Sequence, residues 1–463
     1  MSGAREQGKW HAAGPAVGTL LALGLAVVAL SPLAAERPPA SLEPIEQQIV
    51  DVVDAHNGQA LELLERVVEI NSGTLNLDGV RQVGRIFAAE LESLGFATRW
   101  LDGSAFERAG HLLAERAGDG PRVLLIGHLD TVFERDSPFQ RYEREAGSNE
   151  ARGPGVTDMK GGNVVLLYAL KALEAVGVLQ QLDVTVVLTG DEEKPGRPLA
   201  LAREVLTSRE ADVALGFEDG DSDPATAVIA RRGATGWQLR VTGVRAHSSQ
   251  LFAEGVGAGA IYEVARILSN FYEELSGESN LTFNPGFMLG GTTIDFDPEQ
   301  ARGEAFGKDN VVASSASVAG DLRALSAAQY EQARATMQRI VSDNLPATAA
   351  ELTFAEGYPP LAPTAGNRQL LELYSAVSRE LGLGPVAAVD PRRAGAADVS
   401  FVAERVPRVL DGLGLMGGGG HTTDETADLR TLPTQTQRAA LLLYRLRRLG
   451  AEAGDEAVGV VSD

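Results

Sequence analysis

Apolar residues recur along this chain with two periods. From 41 to 69 the spacing is largely helical, and Leu61, Leu63, Leu64, Val67, Val68 and Ile70 form a stripe towards its end. Asn71-Ser72-Gly73 interrupts it, and a second amphipathic stretch over 80–94 stops at Gly95, a residue that suits a helix C-terminus. Short apolar runs at 97–100, 123–126, 184–188 and 213–217 follow, with helical patterns over 163–176 and 200–207 between some of them. Strands alternating with helices predict an α/β fold, a sheet covered by helices on both faces.

The pattern changes near Ala230. Gly236-Trp237-Gln238-Leu239-Arg240-Val241 alternates like a half-exposed antiparallel strand. A helix over 256–275, a strand over 311–322, a helix over 327–345 and a strand over 350–355 complete a β-α-β-β-α-β-like order. That order predicts an inserted two-layer α+β domain. Gly357-Tyr358-Pro359-Pro360 marks its exit, after which helices at 367–381 and 435–449 and a short segment at 397–403 resume the first pattern. The expected organisation is one α/β domain split into 36–229 and 358–463, with an insert at 230–357.

The N-terminus is a separate object. Arg5 and Lys9 precede an uncharged apolar stretch over 16–30, and Pro32-Leu33-Ala34-Ala35 supplies small residues before Glu36. This is the layout of an export signal, 1–35, cut after Ala35. An uncleaved anchor is the alternative, but the stretch is near or below the lower limit of the roughly 17–25 residues that span a bilayer. The expected location is therefore periplasmic or secreted.

Composition narrows the chemistry. The chain has 463 residues and a net charge of −22, which disfavours nucleic acid or an anionic membrane as the main partner. It has no cysteine, so disulfides, thiolate metal sites and cysteine nucleophiles are excluded. Any bound metal must be held by His, Asp and Glu, and there are only six histidines.

Acids and histidines gather at strand ends. His128-Leu129-Asp130 closes the run Val123–Ile126, and alternate strand residues share a face, so His128 and Asp130 point the same way. A neutral imidazole binds metal, and a carboxylate can orient it through the other nitrogen. Asp158 lies in Gly155-Val156-Thr157-Asp158-Met159-Lys160-Gly161-Gly162, just before an apolar helix. Asp191-Glu192-Glu193 follows the strand at 184–188, and Glu218 follows 213–217. Acids at the end of a buried strand are costly unless something positive sits there. Neighbouring glutamates can point opposite ways, one towards a metal and one towards substrate, which suits metal-assisted hydrolysis. His421 follows the run Met416-Gly417-Gly418-Gly419-Gly420, whose glycines permit unusual backbone geometry.

Together these motifs resemble the M20 family of dinuclear zinc metallopeptidases, the glutamate carboxypeptidase branch in particular. The resemblance covers nearly the whole chain after residue 35. It implies that His128 and Glu218 bind one Zn²⁺, that Glu193 and His421 bind the other, and that Asp158 bridges both, with a cis peptide bond after it. Asp130 would orient His128, and Glu192 would be the general base. Co²⁺ and Mn²⁺ also suit such donors. The insert would be a lid and dimerisation domain: His247, in Gly243-Val244-Arg245-Ala246-His247-Ser248, would stabilise the oxyanion and reach a partner's site in a homodimer. Arg323, in Asp321-Leu322-Arg323, would grip a substrate carboxylate, and Asn310 would help to hold substrate. Gly395-Ala396-Ala397-Asp398 resembles a substrate-side loop, a weaker match.

The implied activity is cleavage of the C-terminal amide of a dipeptide or N-acyl amino acid by metal-activated water. An aminoacylase or amidase acting on a non-peptide acyl group, and an exported binding protein without turnover, are the alternatives. The chain departs from the family pattern at Ala313, where proline is frequent, and over 293–309, which has the look of an insertion between lid strands. Gly412-x-Gly414-x-x-Gly417 matches a dinucleotide fingerprint but has no helix pattern after it, and no G-x-S-x-G is present. His56 and His111 are expected to be structural, and Arg231-Arg232 to be a strand-edge charge pair.

Overall fold

Helix α1, Pro44–Val68, opens the computed structural model, which describes residues 42–196, 198–207, 209–297 and 302–448. Pro44 takes the first helical turn, where its missing N–H costs nothing, and Glu43 and Glu46 cap each other's backbone. Helix α2, Leu77–Ser93, leads into strands β1, Ala97–Asp102, β2, Gly110–Arg116, and β3, Arg122–His128. Helix α3, Lys160–Ala175, is followed by β4, Asp183–Thr189, α4, Leu199–Leu206, and β5, Val213–Gly216.

The chain then leaves this sheet for β6, Gly233–Gly243, α5, Gly259–Leu275, and β7, Thr282–Gly291. Strands β8, Thr293–Asp297, and β9, Arg302–Phe306, come next. The excursion ends with β10, Ser315–Ala324, α6, Ala327–Ser342, and β11, Thr348–Phe354. Helix α7, Ala365–Glu380, strand β12, Val409–Leu410, and α8, Thr431–Leu446, complete the main layer.

The main sheet has the order β1-β2-β4-β3-β5-β12. β1, β2 and β4 pair antiparallel, whereas β4, β3, β5 and β12 run parallel. It is mixed and covered on both sides. Along β3, Val123 and Leu125 pack with residues of α1, α3 and α8, while Leu124 and Ile126 pack towards Ala202, Leu206 and Phe401 on the other face. Burial on both faces is why β3 is apolar without alternation.

The second sheet, β11-β6-β10-β7, is antiparallel throughout. Here β6 alternates: Trp237, Leu239 and Val241 face α5 and α6, and Gln238 and Arg240 do not. This layer has its own core, which includes Ile267, Phe271, Val318, Leu322 and Met337. The mixed α/β layer with a separate two-layer α+β part is the fold class that the apolar periods predict.

Boundaries differ from the expectation, and strands β2 and β7 are additional to it. Strand β2 was not anticipated, because Gly110-His111-Leu112-Leu113-Ala114 offers too short an apolar run beside a glycine and a histidine. Helix α3 begins at Lys160 rather than 163, since Gly161 and Gly162 are poor helix formers that hide its start. Strand β10 begins at Ser315, and 311–314 is a connection. The stretch 293–309 contributes the β8–β9 hairpin, in which Phe296 stacks on Phe287 of β7 with ring centroids 5.1 Å apart. The described residues fall in one compact unit, and the export signal expected at 1–35 lies outside them. Among the described residues no helix is long and apolar enough to cross a membrane.

Candidate metal centre

Three neighbouring parallel strands end at the same edge of the main sheet. His128 is the last residue of β3, Glu192 and Glu193 follow β4, and Glu218 follows β5. The carboxyl ends of parallel strands are where open α/β sheets place their sites. Asp158 comes to this edge from the loop before α3, and His421 from a loop between the short strands Gly417–Gly418 and Thr426–Asp428. The second of these strands pairs with Glu150–Arg152, which ties the His421 loop to the Asp158 loop.

The side chains form two triads that share Asp158. Its Oδ1 lies 3.1 Å from His128 Nε2, and its Oδ2 lies 2.9 Å from His421 Nε2. Glu218 Oε1 is 3.5 Å from His128 Nε2, and Glu193 Oε2 is 3.1 Å from His421 Nε2. In each group, His128, Asp158 and Glu218 or Asp158, Glu193 and His421, the donor atoms lie within 4.8 Å of one another. The peptide bond between Asp158 and Met159 is cis. Met159 holds the cap position of α3, and the Asp158 carboxylate faces the imidazoles.

His421 adopts φ 61°, in the left-handed region that a non-glycine residue rarely enters. Close approach elsewhere depends on one glycine. A Cβ on Gly162 would come 1.8 Å from the Phe217 carbonyl oxygen, so only glycine lets the start of α3 press against the end of β5. That contact brings Asp158 beside Glu218. Asn163, in the same turn of α3, donates to the His128 carbonyl at 2.6 Å.

The acids divide into two kinds. Asp130 is fully buried and accepts from the Thr74 hydroxyl at 2.7 Å and from the N–H groups of Glu192 and Glu193 at 3.1 and 3.2 Å. Its carboxylate stands 3.5 Å from His128 Nδ1, and its backbone carbonyl is closer, at 3.0 Å. Asp130 therefore braces the Glu192–Glu193 turn as much as it faces the imidazole. Glu425 is also fully buried, and accepts from the N–H groups of Gly155, Thr157 and Asp158 at 3.0, 2.9 and 3.2 Å and from the Thr157 hydroxyl at 3.1 Å. Asp411 accepts from Arg231 at 2.7 and 2.8 Å and from the Glu218 N–H at 3.3 Å. Arg231 is thus a buried partner of the site's support, not the strand-edge charge that its position suggested. Glu425, Asp411, Thr74 and Asn163 escaped the sequence reading, because nothing local in the sequence marks a residue whose partners lie up to 270 positions away.

Asp158, Glu193 and Glu218 are of the other kind. Burial pushes the Glu218 carboxyl well above the usual carboxylate range, with Asp158 adding to the shift. Burial and Asp158 likewise push Glu193 up to about 7. Hydrogen bonds to Asp158 and Glu193 raise His421 to about 11. For Asp158 burial acts upward, but His128 and His421 outweigh it and hold the carboxyl below its ordinary value. Among the described residues, Oε1 of Glu193 is buried with no hydrogen-bond partner. A buried oxygen left open, among clustered carboxylates and two imidazoles, fits a divalent cation: every donor is N or O, the set that suits zinc, cobalt or manganese.

Glu192 lies among the same charges, and Tyr358 donates to its backbone carbonyl at 3.1 Å. The other expected site residues lie in the second layer. His247 is exposed, pairs through Nδ1 with the Ser249 hydroxyl at 2.8 Å, and bridges to Val311. Among the described residues no hydrogen bond or ion pair joins it to the triads. Arg323 donates from Nε to Asp321 at 2.8 Å, and the Asn310 carbonyl accepts from the Ser248 N–H at 2.9 Å. Asp398 is buried and accepts from the Thr189 hydroxyl at 2.6 Å. His111 is buried beside the same turn, where its Nδ1 accepts from the Gly190 N–H at 3.2 Å.

The sequence pattern of peptidase family M20/M25/M40 matches residues 124–445. Carboxypeptidase G2 of Pseudomonas sp. (strain RS-16) is 26% identical over 393 residues, 83% of this chain and 89% of that protein. A succinyl-diaminopimelate desuccinylase of Methylobacterium sp. (strain 4-46) is 28% identical over 339 residues, 70% of this chain and 80% of that protein. Among solved structures, aminopeptidase PepT from Bacillus cereus ATCC 10987 superposes with a TM-score of 0.66 at 16% identity, covering 84% of this chain and 98% of that one, which is a likeness of fold.

Glu425 makes a direct test of how the Asp158 loop is held. Glu425→Ala should weaken divalent-metal binding by about 10- to 100-fold, the usual effect of losing a partner behind the ligands. In the metal-free protein it should also speed hydrogen exchange at the Thr157 and Asp158 amides. Chelator competition and exchange mass spectrometry measure the two effects, and an unchanged result in both would show that the loop holds itself.

Proposed function

The chain belongs to peptidase family M20/M25/M40 and is a hydrolase of that family, and from this premise we propose that it is a dinuclear zinc enzyme cleaving the C-terminal amide bond of dipeptides or N-acyl amino acids. The observation that carries the reading is the pair of triads joined through the two oxygens of Asp158. His128, Asp158 and Glu218 would hold one ion, and Asp158, Glu193 and His421 the other. When bound, zinc supplies Lewis acidity, which polarises the scissile carbonyl and makes water acidic enough to attack near neutral pH.

The chain's own residues do the rest. Burial pushes the Glu192 carboxyl well above the ordinary range, with Glu218, Asp398 and Glu193 adding to the shift against the opposing His128. A more basic carboxylate is a better proton shuttle near neutral pH. Glu192 takes a proton from the attacking water as its oxygen adds to the carbonyl carbon, then delivers it to the amide nitrogen as the C–N bond breaks. The products are a carboxylic acid and a free amine. Asp130 holds the backbone of Glu192 and Glu193 in place for this exchange.

The second layer is read as a lid that brings Arg323 to the substrate's α-carboxylate, with Asn310 and His247 contributing contacts to the amide and its oxyanion. Arg323 gives only its Nε to Asp321. Its two terminal nitrogens suit a bidentate carboxylate. The exposed apolar residues Ile261, Tyr262, Tyr272 and Met288, on α5 and the edge strand β7, support a homodimer formed through this layer. In such a dimer the exposed His247 would serve the partner's site. The desuccinylase relatives favour N-acyl substrates as a second reading. The sequence at 1–35 supports export with cleavage after Ala35.

Glu192→Gln should retain two zinc ions per chain by elemental analysis and lose turnover by at least about a hundredfold, the scale of general acid–base catalysis. A retained rate would remove the base from Glu192, and turnover that stays undetectable in the zinc-loaded native protein across dipeptides and N-acyl amino acids would favour a binding protein. Arg323→Ala should raise KM for substrates bearing a free carboxylate, leaving esterified or amidated analogues little changed. Sedimentation should show a dimer that Tyr272→Glu converts to monomer, and loss of activity on His247→Ala at unchanged dimer mass would support its role across the interface. Intact mass of the exported protein should place its first residue at Glu36; retention of 1–35 would point to an anchor instead.

A further inference from the structure

Two segments connect the second layer to the main sheet, and they are paired with each other. The Arg231 N–H donates to the Leu361 carbonyl and the Leu361 N–H to the Arg231 carbonyl, both at 2.9 Å, and the Ala234 N–H donates to the Tyr358 carbonyl at 3.0 Å. Each segment sends one side chain towards the metal centre. The first sends Arg231 to Asp411, which in turn accepts from the Glu218 N–H. The second sends Tyr358, whose hydroxyl donates to the Glu192 carbonyl at 3.1 Å and whose ring rests on buried Phe401 with centroids 5.0 Å apart.

Tyr358 therefore has its backbone paired with the insert and its side chain lodged on the main layer. The peptide units on either side of Glu192 are held from both sides: its N–H points to Asp130, fixed at the end of β3, and its C=O receives Tyr358. A groove of about 460 Å³ opens beside this contact, lined by Pro195, Thr235, Asp321, Glu356 and Tyr358 itself. Pro195 of the 192–196 turn and Tyr358 both line it, so the hydroxyl contact lies at the groove's edge. Rotation of the insert about its connections would shift the Tyr358 backbone and load its contact with Glu192.

We propose that Tyr358 is a positioning residue that couples the orientation of the inserted layer to the placement of Glu192. The inference rests on the reading of Glu192 as the general base. A base must sit within hydrogen-bond reach of the proton that it moves, and a displacement of about 1 Å is enough to cost a large factor in rate. When the insert swings to its closed setting, Tyr358 brings the Glu192 backbone to its working position. When the insert swings away, the same bond relaxes the turn. Neither state requires Tyr358 to touch substrate.

The zinc-loaded native enzyme tests the proposal. Tyr358→Phe keeps the ring on Phe401 and removes only the hydroxyl. It should lower kcat about tenfold, equivalent to roughly 1.4 kcal/mol of barrier, while KM, zinc content and thermal midpoint stay close to the parent. Amide exchange at 191–194 should quicken in both the metal-free and the loaded protein. Pro359→Gly, which loosens the same connection, should also lower kcat, and combined with Tyr358→Phe it should add little, because both act through one link. A parental kcat in Tyr358→Phe overturns the proposal. So do full additivity of the two changes, or a fall in kcat matched by lost zinc or a lowered midpoint. Glu192→Gln assayed alongside separates the two ideas: if it stays active the base assignment fails, and if it is dead while Tyr358→Phe is parental only the coupling fails.

Discussion

One oxygen of Asp158 faces His128 and the other faces His421, and keeping that carboxylate centred between two imidazoles is the constraint on which its surroundings depend. Glu193 and Glu218 sit close enough to repel it. Turn bonds from the Val156 N–H to the Gly153 carbonyl and from the Lys160 N–H to the Gly155 carbonyl shape the loop that carries it. Further bracing comes from a distance: Glu425 gathers three N–H groups of the loop, and Gly162 lets α3 lie directly on the end of β5. Asn163 then fastens the same helical turn to the His128 carbonyl. Strand, loop and helix are locked to one another around a single side chain.

The buried acids near the site separate by what their oxygens do. Asp130, Asp411 and Glu425 are saturated with backbone N–H, hydroxyl or guanidinium donors, and such carboxylates serve as struts. Asp158, Glu193 and Glu218 look towards imidazoles, and Glu193 keeps one oxygen open. The struts have N–H, hydroxyl and guanidinium donors where an ion would otherwise be needed. The others concentrate negative charge where desolvation is expensive, and a divalent cation compensates it. Both classes are required, since the second can be held together only by the first.

Much of this was legible in the sequence, for physical reasons. A strand buried on both faces is continuously apolar, so an acid or a histidine at its end stands out, as His128, Glu193 and Glu218 do. The alternation of β6 likewise announced a sheet with one covered face. The struts were not legible. Glu425 lies four residues beyond His421 in an ordinary polar stretch, and only the fold brings it to Gly155 and Thr157. Arg231 beside Arg232 resembles an exposed pair until Asp411 is found opposite it. Strand β2 stayed hidden because its burial depends on β1 and β4 flanking it, not on its own composition.

The order of the two triads along the chain has a consequence for biosynthesis. His128, Asp158 and Glu218 all precede β6, whereas the second triad needs His421, beyond β11. A ribosome finishes every ligand of one triad before it begins the insert, and completes the other only after the insert has emerged. The strut Glu425, which steadies the residue common to both, arrives later still. The nascent protein thus carries a half-built, strongly acidic pocket through the synthesis of more than two fifths of its length, from Glu218 to His421, and closes it with the loop that precedes α8.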